Sequence, residues 1–159
     1  MKNINKSYQV YGIGLPRTGS TSLAEALNIL GYSGKHFCSI NNSSRVSSFK
    51  ELEKYYIDNS SYLDLENIVR KNIGSKFIFT DRSLTDWSES IKKYDKNFTT
   101  NIVEYKEACI SLFKKYNKLK DLLFINITEN TSEKNWNILC SFLDKEIPNY
   151  KFPNVDQNK

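Results

Sequence analysis

The segment from residue 14 to residue 21 constrains the fold more than any other part of the chain. It has the pattern Gly-x-x-x-x-Gly-Ser-Thr. Residues 8–14 before it are rich in β-forming side chains and predict a short buried strand. Residues 20–30 after it predict an amphipathic helix that ends at Gly31. The apolar positions at helical spacing are Leu23, Ala24, Leu27 and Leu30.

This strand–loop–helix arrangement is typical of a loop that binds phosphate groups. Glycines allow the backbone to turn its N–H groups inward, and the helix N-terminus adds partial positive charge. Arg17 is the only cation of the loop. Hydroxyl donors are supplied by Thr18, Ser20, Thr21 and Ser22. The alternative is an ordinary strand-to-helix turn that is capped by Ser20.

The rest of the chain alternates predicted strands with predicted helices. The further strands are residues 32–39, 76–80 and 122–127, and the further helices are residues 49–56, 61–72, 84–93, 101–116 and 132–143. This order predicts an α/β fold in which one parallel sheet lies between two layers of helices, like that of the P-loop NTPases. Residues 1–159 show no linker or repeat, so we expect a single domain. Ligands of such sheets bind at the carboxyl ends of the strands, where both Arg17 and Arg82 are expected.

Composition excludes several other classes of protein. The net charge of +5 comes from lysines spread along the chain, which favours a solvated surface over a nucleic-acid-binding stripe. Apolar runs are too short for a membrane span, and no leader sequence is recognised, so a cytoplasmic location is expected. The three cysteines form no Cys-x-x-Cys pair, and neither a disulfide framework nor a metal site is predicted.

The loop differs from an ATP-binding loop at one position. Such loops place a lysine directly after the second glycine, where this chain has Ser20. Asp81 is the only candidate for the acid that would hold magnesium. A small nucleotide kinase or NTPase is therefore disfavoured but remains an alternative.

Three segments resemble the sulfotransferases, and in particular their compact group. Residues 15–23, Leu-Pro-Arg-Thr-Gly-Ser-Thr-Ser-Leu, are similar to the loop that binds the 5′-phosphosulfate in that family. Residues 76–82, Lys-Phe-Ile-Phe-Thr-Asp-Arg, followed by Trp87 and Ser90, are similar to its second signature. In that signature an arginine and a serine eight residues later bind a 3′-phosphate. Residues 139–154 also resemble the family's C-terminal segment.

The resemblance implies a sulfotransferase that uses PAPS (3′-phosphoadenosine 5′-phosphosulfate) as co-substrate and requires no metal. The 5′-phosphosulfate would be held by Pro16, Arg17, Thr18, Gly19, Ser20, Thr21 and Ser22. Arg82 and Ser90 would hold the 3′-phosphate. Catalysis would rest on positioning and charge stabilisation, with Arg17 also serving the transferred group. The acceptor would be a hydroxyl or an amine of a small molecule or a glycan.

An acceptor hydroxyl or amine also needs a base, for which there are two candidates. His36 is the only histidine of the chain, and it follows Leu30-Gly31-Tyr32 as a histidine often does in the resembling group. An imidazole with an ordinary pKa near 6.5 suits the role. Asp58 is the second candidate. A structural histidine and a helix cap, respectively, are the alternatives for these two residues.

Two departures from the family pattern support a further alternative. The chain is shorter than typical members between Ser39 and Asp58, where acceptor contacts are expected. Asp81 also stands beside Arg82 and would weaken anion binding if its carboxylate pointed inward. These features favour a non-catalytic domain of the same fold that binds a nucleotide or a partner protein. The oligomeric state is left open.

Overall fold

A computed structural model describes residues 9–36, 54–57, 65–71 and 74–155 of the chain. The described strands form one parallel five-stranded sheet in the order β2-β3-β1-β4-β5. The strands are β1 (Val10–Gly12), β2 (Ser33–His36), β3 (Lys54–Ile57), β4 (Lys76–Thr80) and β5 (Leu122–Ile125). Central β1 pairs with β3 on one side and with β4 on the other.

The described helices cover both faces of the sheet. They are α1 (Ser20–Ile29), α2 (Leu65–Lys71), α3 (Leu84–Tyr94), α4 (Ile102–Lys115) and α5 (Ser132–Leu143), and a 3₁₀ helix (Leu119–Asp121) leads into β5. In the part of the chain that the structure describes, no helix has the length and apolar character needed to cross a membrane.

The two faces of the sheet bury two separate clusters of side chains, because successive residues of a strand point to opposite faces. Ile78 packs with apolar residues of α1 and α5, including Leu27 and Leu139. Its neighbours Phe77 and Phe79 pack on the other face with residues of α2, α3 and α4. The rings of Phe77 and Phe113 meet edge to face, with centroids 5.0 Å apart. The predicted α/β fold with helices on both faces of a parallel sheet is confirmed.

The prediction of a helix over residues 49–56 is wrong for residues 54–56, which the structure describes. Lys54–Ile57 is β3, which lies between β1 and β2 in the sheet. Its pairing is in register with Gly12 on one side and His36 on the other, both opposite Ile57. Hydrogen bonds to two neighbouring strands outweigh the weak helical periodicity of such a short segment. Residues 49–53 lie outside the described residues.

The strand order places a crevice at the carboxyl ends of β1 and β4. The chain leaves β1 through α1 towards β2, at one edge of the sheet, and leaves β4 through α3 and α4 towards β5, at the other edge. Neighbouring strands whose connections run in opposite directions leave an open crevice between them, and this is where α/β sheets bind ligands. The loops that follow β1 and β4 therefore meet at the expected site.

Candidate functional site

The loop after β1 lies directly against the last residue of β4. A Cβ atom on Gly14 would lie 2.2 Å from Oγ1 of Thr80 and 2.8 Å from its carbonyl oxygen. Real Cβ atoms do not approach other atoms so closely, so this position requires glycine. The first glycine of the loop pattern thus permits contact between two strand ends.

Thr18 stabilises the loop from inside. Its side chain is fully buried, and Oγ1 donates to the carbonyl oxygen of Leu15 at 2.6 Å. The same oxygen lies 2.6 Å from Oγ1 of Thr80. Because a hydroxyl has one proton, Thr80 donates and Thr18 accepts in this second bond. The Thr18 hydroxyl therefore maintains the shape of the loop.

Arg17 extends from the loop to α3. Its backbone has a φ of 69°, in the left-handed region that few residues other than glycine adopt. Nε donates to Oγ of Ser90 at 2.9 Å, and the guanidinium lies 5.8 Å from the ring centroid of Tyr94. Ser90 and Tyr94 are four residues apart and share one face of the helix. The backbone strain at Arg17 is thus accompanied by a fixed position of its guanidinium group.

The end of β4 and the start of α3 hold the loop by its carbonyl groups. Nη1 of Arg82 donates to the carbonyl oxygen of Arg17 at 2.8 Å, and Nε1 of Trp87 donates to that of Pro16 at 2.9 Å. Nε of Arg82 is buried and makes no hydrogen bond to any described residue. A buried donor without a partner is costly, and a bound oxyanion is the kind of group that would satisfy it.

Helix α1 begins at the loop without a side-chain cap. Gly19 occupies the N-cap position with a φ of 92°, and it has no side chain that could accept a hydrogen bond from the first amides. The first bond of the helix joins the Leu23 amide to the Gly19 carbonyl at 3.0 Å, so the amides of residues 20–22 point out of the helix N-terminus. Ser20 is a helical residue and not the cap, so the alternative of a turn capped by Ser20 is wrong.

Two further predicted ligands lie in the first turn of α1. Thr21 is partly exposed there. Ser22 is buried, and its Oγ accepts a hydrogen bond from the Val155 amide at 2.9 Å. The C-terminal segment also packs on α5, where the Phe152 ring lies edge to face with Trp136 at 4.8 Å. Ser22 is thus part of the loop pattern in the sequence, and its hydroxyl binds the C-terminal segment.

Asp81 separates Thr80 from Arg82, and both oxygens of its carboxylate are bonded to protein groups. Oδ1 accepts from the Arg82 backbone amide at 2.9 Å, and Oδ2 pairs with Nζ of Lys106 on α4 at 2.6 Å. Asp81, Arg82 and Lys106 line one cavity of about 400 Å³, together with Glu107 and apolar residues of α4. The negative charge of Asp81, which the sequence places beside Arg82, is therefore paired with the positive charge of Lys106.

Of the two predicted bases, the structure describes the backbone position of one, His36. His36 is the last residue of β2 and is level with Ile57 of β3 and, through it, with Gly12 of β1. Two strand spacings separate β2 from β1, so the His36 backbone is about 10 Å from the β1 backbone at the same end of the sheet. Asp58 lies outside the described residues.

Four residues at the site were not predicted from the sequence: Thr80, Tyr94, Tyr105 and Lys106. Tyr105 donates from its hydroxyl to the Ile13 carbonyl at 2.6 Å and so holds the start of the loop from α4. Tyr94 could have been found, because it follows Ser90 by one helical turn. The contacts of Tyr105 and Lys106 have no local sequence signal, since they depend on how α4 packs beside β4. Among the described residues, no three His, Cys, Asp or Glu side chains form a group that could hold a metal ion.

A parallel α/β sheet with a glycine-containing loop before an uncapped helix defines a protein of the P-loop-like class. Residues 9–73 match the family model of the sulfotransferase domain. The match covers β1, the loop and α1, and continues to the end of α2, but spans less than half of the chain. The resemblance of this segment to the sulfotransferases is confirmed, and it supports a transferase activity in general. No curated protein matches the chain.

Proposed function

We propose that this protein transfers a sulfuryl group from PAPS to a hydroxyl or an amine of a small-molecule or glycan acceptor. One observation carries the proposal: Arg17, Arg82 and Ser90 come together at the carboxyl ends of β1 and β4. Two guanidinium groups beside an uncapped helix N-terminus suit a ligand with two separate anionic groups. We also propose that residues 1–159 form one domain.

The residues present fit the two ends of such a donor. The amides at the start of α1 and the guanidinium of Arg17 would hold the 5′-phosphosulfate, within the segment from Pro16 to Ser22. Arg82 and Ser90 would hold the 3′-phosphate, and the buried Nε of Arg82 would gain an acceptor. When bound, PAPS supplies an activated sulfuryl group on a phosphate leaving group.

Arg17 and the amides of α1 would accelerate the reaction by stabilising negative charge. Fixed donors are more effective than water, because they need no reorganisation when charge develops. The bond to Ser90 and the contact with Tyr94 limit the movement of the Arg17 guanidinium before the ligand arrives. No metal is needed for this kind of stabilisation, and we propose none.

His36 would remove the proton from the acceptor. Its strand ends at the same edge of the sheet as β1, on the side of β3. An acceptor that lay across the ends of β2 and β3 could present its hydroxyl or amine to both the imidazole and the loop. Asp58, directly after β3 in sequence, is the second candidate for this role.

A non-catalytic domain of the same fold, which binds a nucleotide or a partner protein, is the second candidate function, and one observation favours it. The guanidinium groups of Arg17 and Arg82 already make hydrogen bonds within the protein, so binding an anion would partly replace existing bonds. A magnesium-dependent kinase or NTPase is less well supported. Asp81 is committed to Lys106 and to the Arg82 amide, and a metal ion would have to displace that ammonium group.

Calorimetry with adenosine 3′,5′-bisphosphate and with ATP, each with and without magnesium, tests the proposal. We expect the bisphosphate to bind without magnesium and more tightly than ATP. Transfer of labelled sulfate from PAPS to a panel of hydroxyl and amine acceptors then tests catalysis, with hydrolysis of PAPS as a second readout. Tight binding of ATP only with magnesium would contradict the proposal. Bisphosphate binding without turnover of PAPS would favour the non-catalytic domain.

A further inference from the structure

Asp81 stands directly before Arg82 in the sequence, so an anion bound by Arg82 would have a carboxylate nearby. A carboxylate adjacent in sequence to an anion-binding arginine can pair with its guanidinium or repel the anion. The side chain of Asp81 is only 24% exposed, so solvent screens its charge incompletely. An anion site at Arg82 therefore requires that this charge be compensated.

Lys106 is positioned to compensate the negative charge of Asp81. Its Nζ lies 2.6 Å from Oδ2 of Asp81 and 5.0 Å from the centroid of the Phe124 ring on β5. The ammonium group is thus held by an ion pair and by a cation–π contact, which together limit its rotamers. The side chain is 35% exposed, and no other described cation is ion-paired with Asp81.

We infer that Lys106 is a positioning residue for the anion site: by neutralising Asp81 it keeps the guanidinium of Arg82 available to an oxyanion. The inference deepens the proposed function and rests on it for the identity of the anion, a terminal phosphate group. The two charges share the cavity that Arg82 also lines. Without Lys106, the carboxylate of Asp81 loses its ion pair and leaves an uncompensated negative charge in this cavity, which opposes the binding of an anion.

The test compares three variants by their affinity for adenosine 3′,5′-bisphosphate. We expect Lys106→Ala to weaken binding about tenfold, the effect of one incompletely screened charge close to the site. Lys106→Arg should retain most of the affinity, because a guanidinium can also pair with Asp81. The double variant Asp81→Asn/Lys106→Ala should recover the affinity, since the amide keeps the bond from the Arg82 backbone but carries no charge.

Lys115→Ala is the matched control. Lys115 is also on α4 and is also ion-paired, with Glu66 at 2.8 Å, so its removal changes the net charge equally. We expect this variant to bind the bisphosphate like the native protein. Equal losses in Lys106→Ala and Lys115→Ala would overturn the inference, and so would a double variant that binds as poorly as Lys106→Ala while remaining folded.

A second readout separates this inference from the proposed function. Inorganic phosphate should raise the melting temperature of the native protein and of Lys115→Ala more than that of Lys106→Ala. If phosphate shows this ranking but the bisphosphate does not bind, the proposed function fails and the inference about Lys106 stands. If phosphate shifts the native protein and Lys106→Ala equally, the inference is overturned whatever the nucleotide does.

Discussion

Arg17 and Ser90 are joined by a hydrogen bond of 2.9 Å between Nε and Oγ, although 73 positions separate them in the sequence. The first residue belongs to the loop proposed for the 5′-phosphosulfate and the second to the site proposed for the 3′-phosphate. The bond links the two proposed sites through one guanidinium group. A substitution at either residue should therefore weaken the binding of both anionic groups of the ligand.

Arg17→Ala should weaken the binding of PAPS by about 1.5–3 kcal/mol, the usual contribution of a hydrogen bond to a charged group. Calorimetry measures the change, and circular dichroism checks that the fold is retained. Arg70→Ala is a suitable control, because Arg70 is exposed on α2 and bonds only to nearby Asn67 among the contacts described. An unchanged dissociation constant in a folded Arg17→Ala protein would exclude the proposed role of the loop cation.

The 3′-phosphate should decide nucleotide preference. If Arg82 and Ser90 bind that group, adenosine 3′,5′-bisphosphate binds more tightly than 5′-AMP, and Arg82→Ala removes the difference. Competition or calorimetry with both nucleotides gives the ratio of affinities for the native and variant proteins. Equal affinities in the native protein would refute the assignment of Arg82 and Ser90 while leaving the loop after β1 unaffected.

Gly14→Ala should lower the free energy of unfolding by about 3 kcal/mol, because its methyl group would overlap Thr80 and force the strand ends apart. Chemical denaturation measures the loss. Gly31→Ala provides the comparison: a Cβ there meets no atom within 4 Å, and only its φ of 101° opposes the change. That strain costs about 1 kcal/mol. A Gly14→Ala protein as stable as Gly31→Ala would show that Thr80 does not contact the loop.

His36→Ala should reduce turnover roughly 10²-fold or more, the usual contribution of a positioned base. The affinity for PAPS should barely change, since the imidazole would contact the acceptor and not the donor. A purely structural His36 would give the opposite result, namely a lower melting temperature with an unchanged rate for each folded molecule. In that case Asp58→Asn becomes the test of the second candidate base.

Cys109 should make stability depend on pH in the alkaline range. Burial raises the pKa of its thiol to about 11 from the ordinary value of 9.0. The unfolded chain therefore loses this proton first, and the thiol's contribution is complete below pH 9 and declines as the pH rises towards 11. This difference in pKa between the folded and unfolded states corresponds to about 3 kcal/mol.

Urea denaturation of the native protein and of Cys109→Ala between pH 8 and pH 11 measures this effect. The variant carries the same other titrating groups, including Tyr11, whose pKa is also raised by burial. We expect the stability difference between the two proteins to shrink as the pH rises. A difference that stays constant would mean that the thiol is accessible to water in the folded state.

The local part of the site could be predicted from the sequence. The Gly14–Gly19 spacing, the strand before it and the helix after it depend on interactions within about 20 residues, and the periodicity of apolar side chains reveals them. The confirmed elements include β4, found at Lys76–Thr80 as predicted, and α5, which ends at Leu143. The identity of Arg82 and Ser90 as candidates came from the spacing of eight residues that resembles the sulfotransferases.

Only the tertiary structure decided which of these segments meet and what their side chains do there. Lys54–Ile57 became a strand because β1 and β2 offered hydrogen bonds on both sides. Arg17 bonds to Ser90, and Asp81 pairs with Lys106, because α3 and α4 pack beside the end of β4. A sequence encodes the polar groups that could pair. Which pairs form depends on distances set by the packing of the whole sheet and its helices, and those distances have no local signal in the chain.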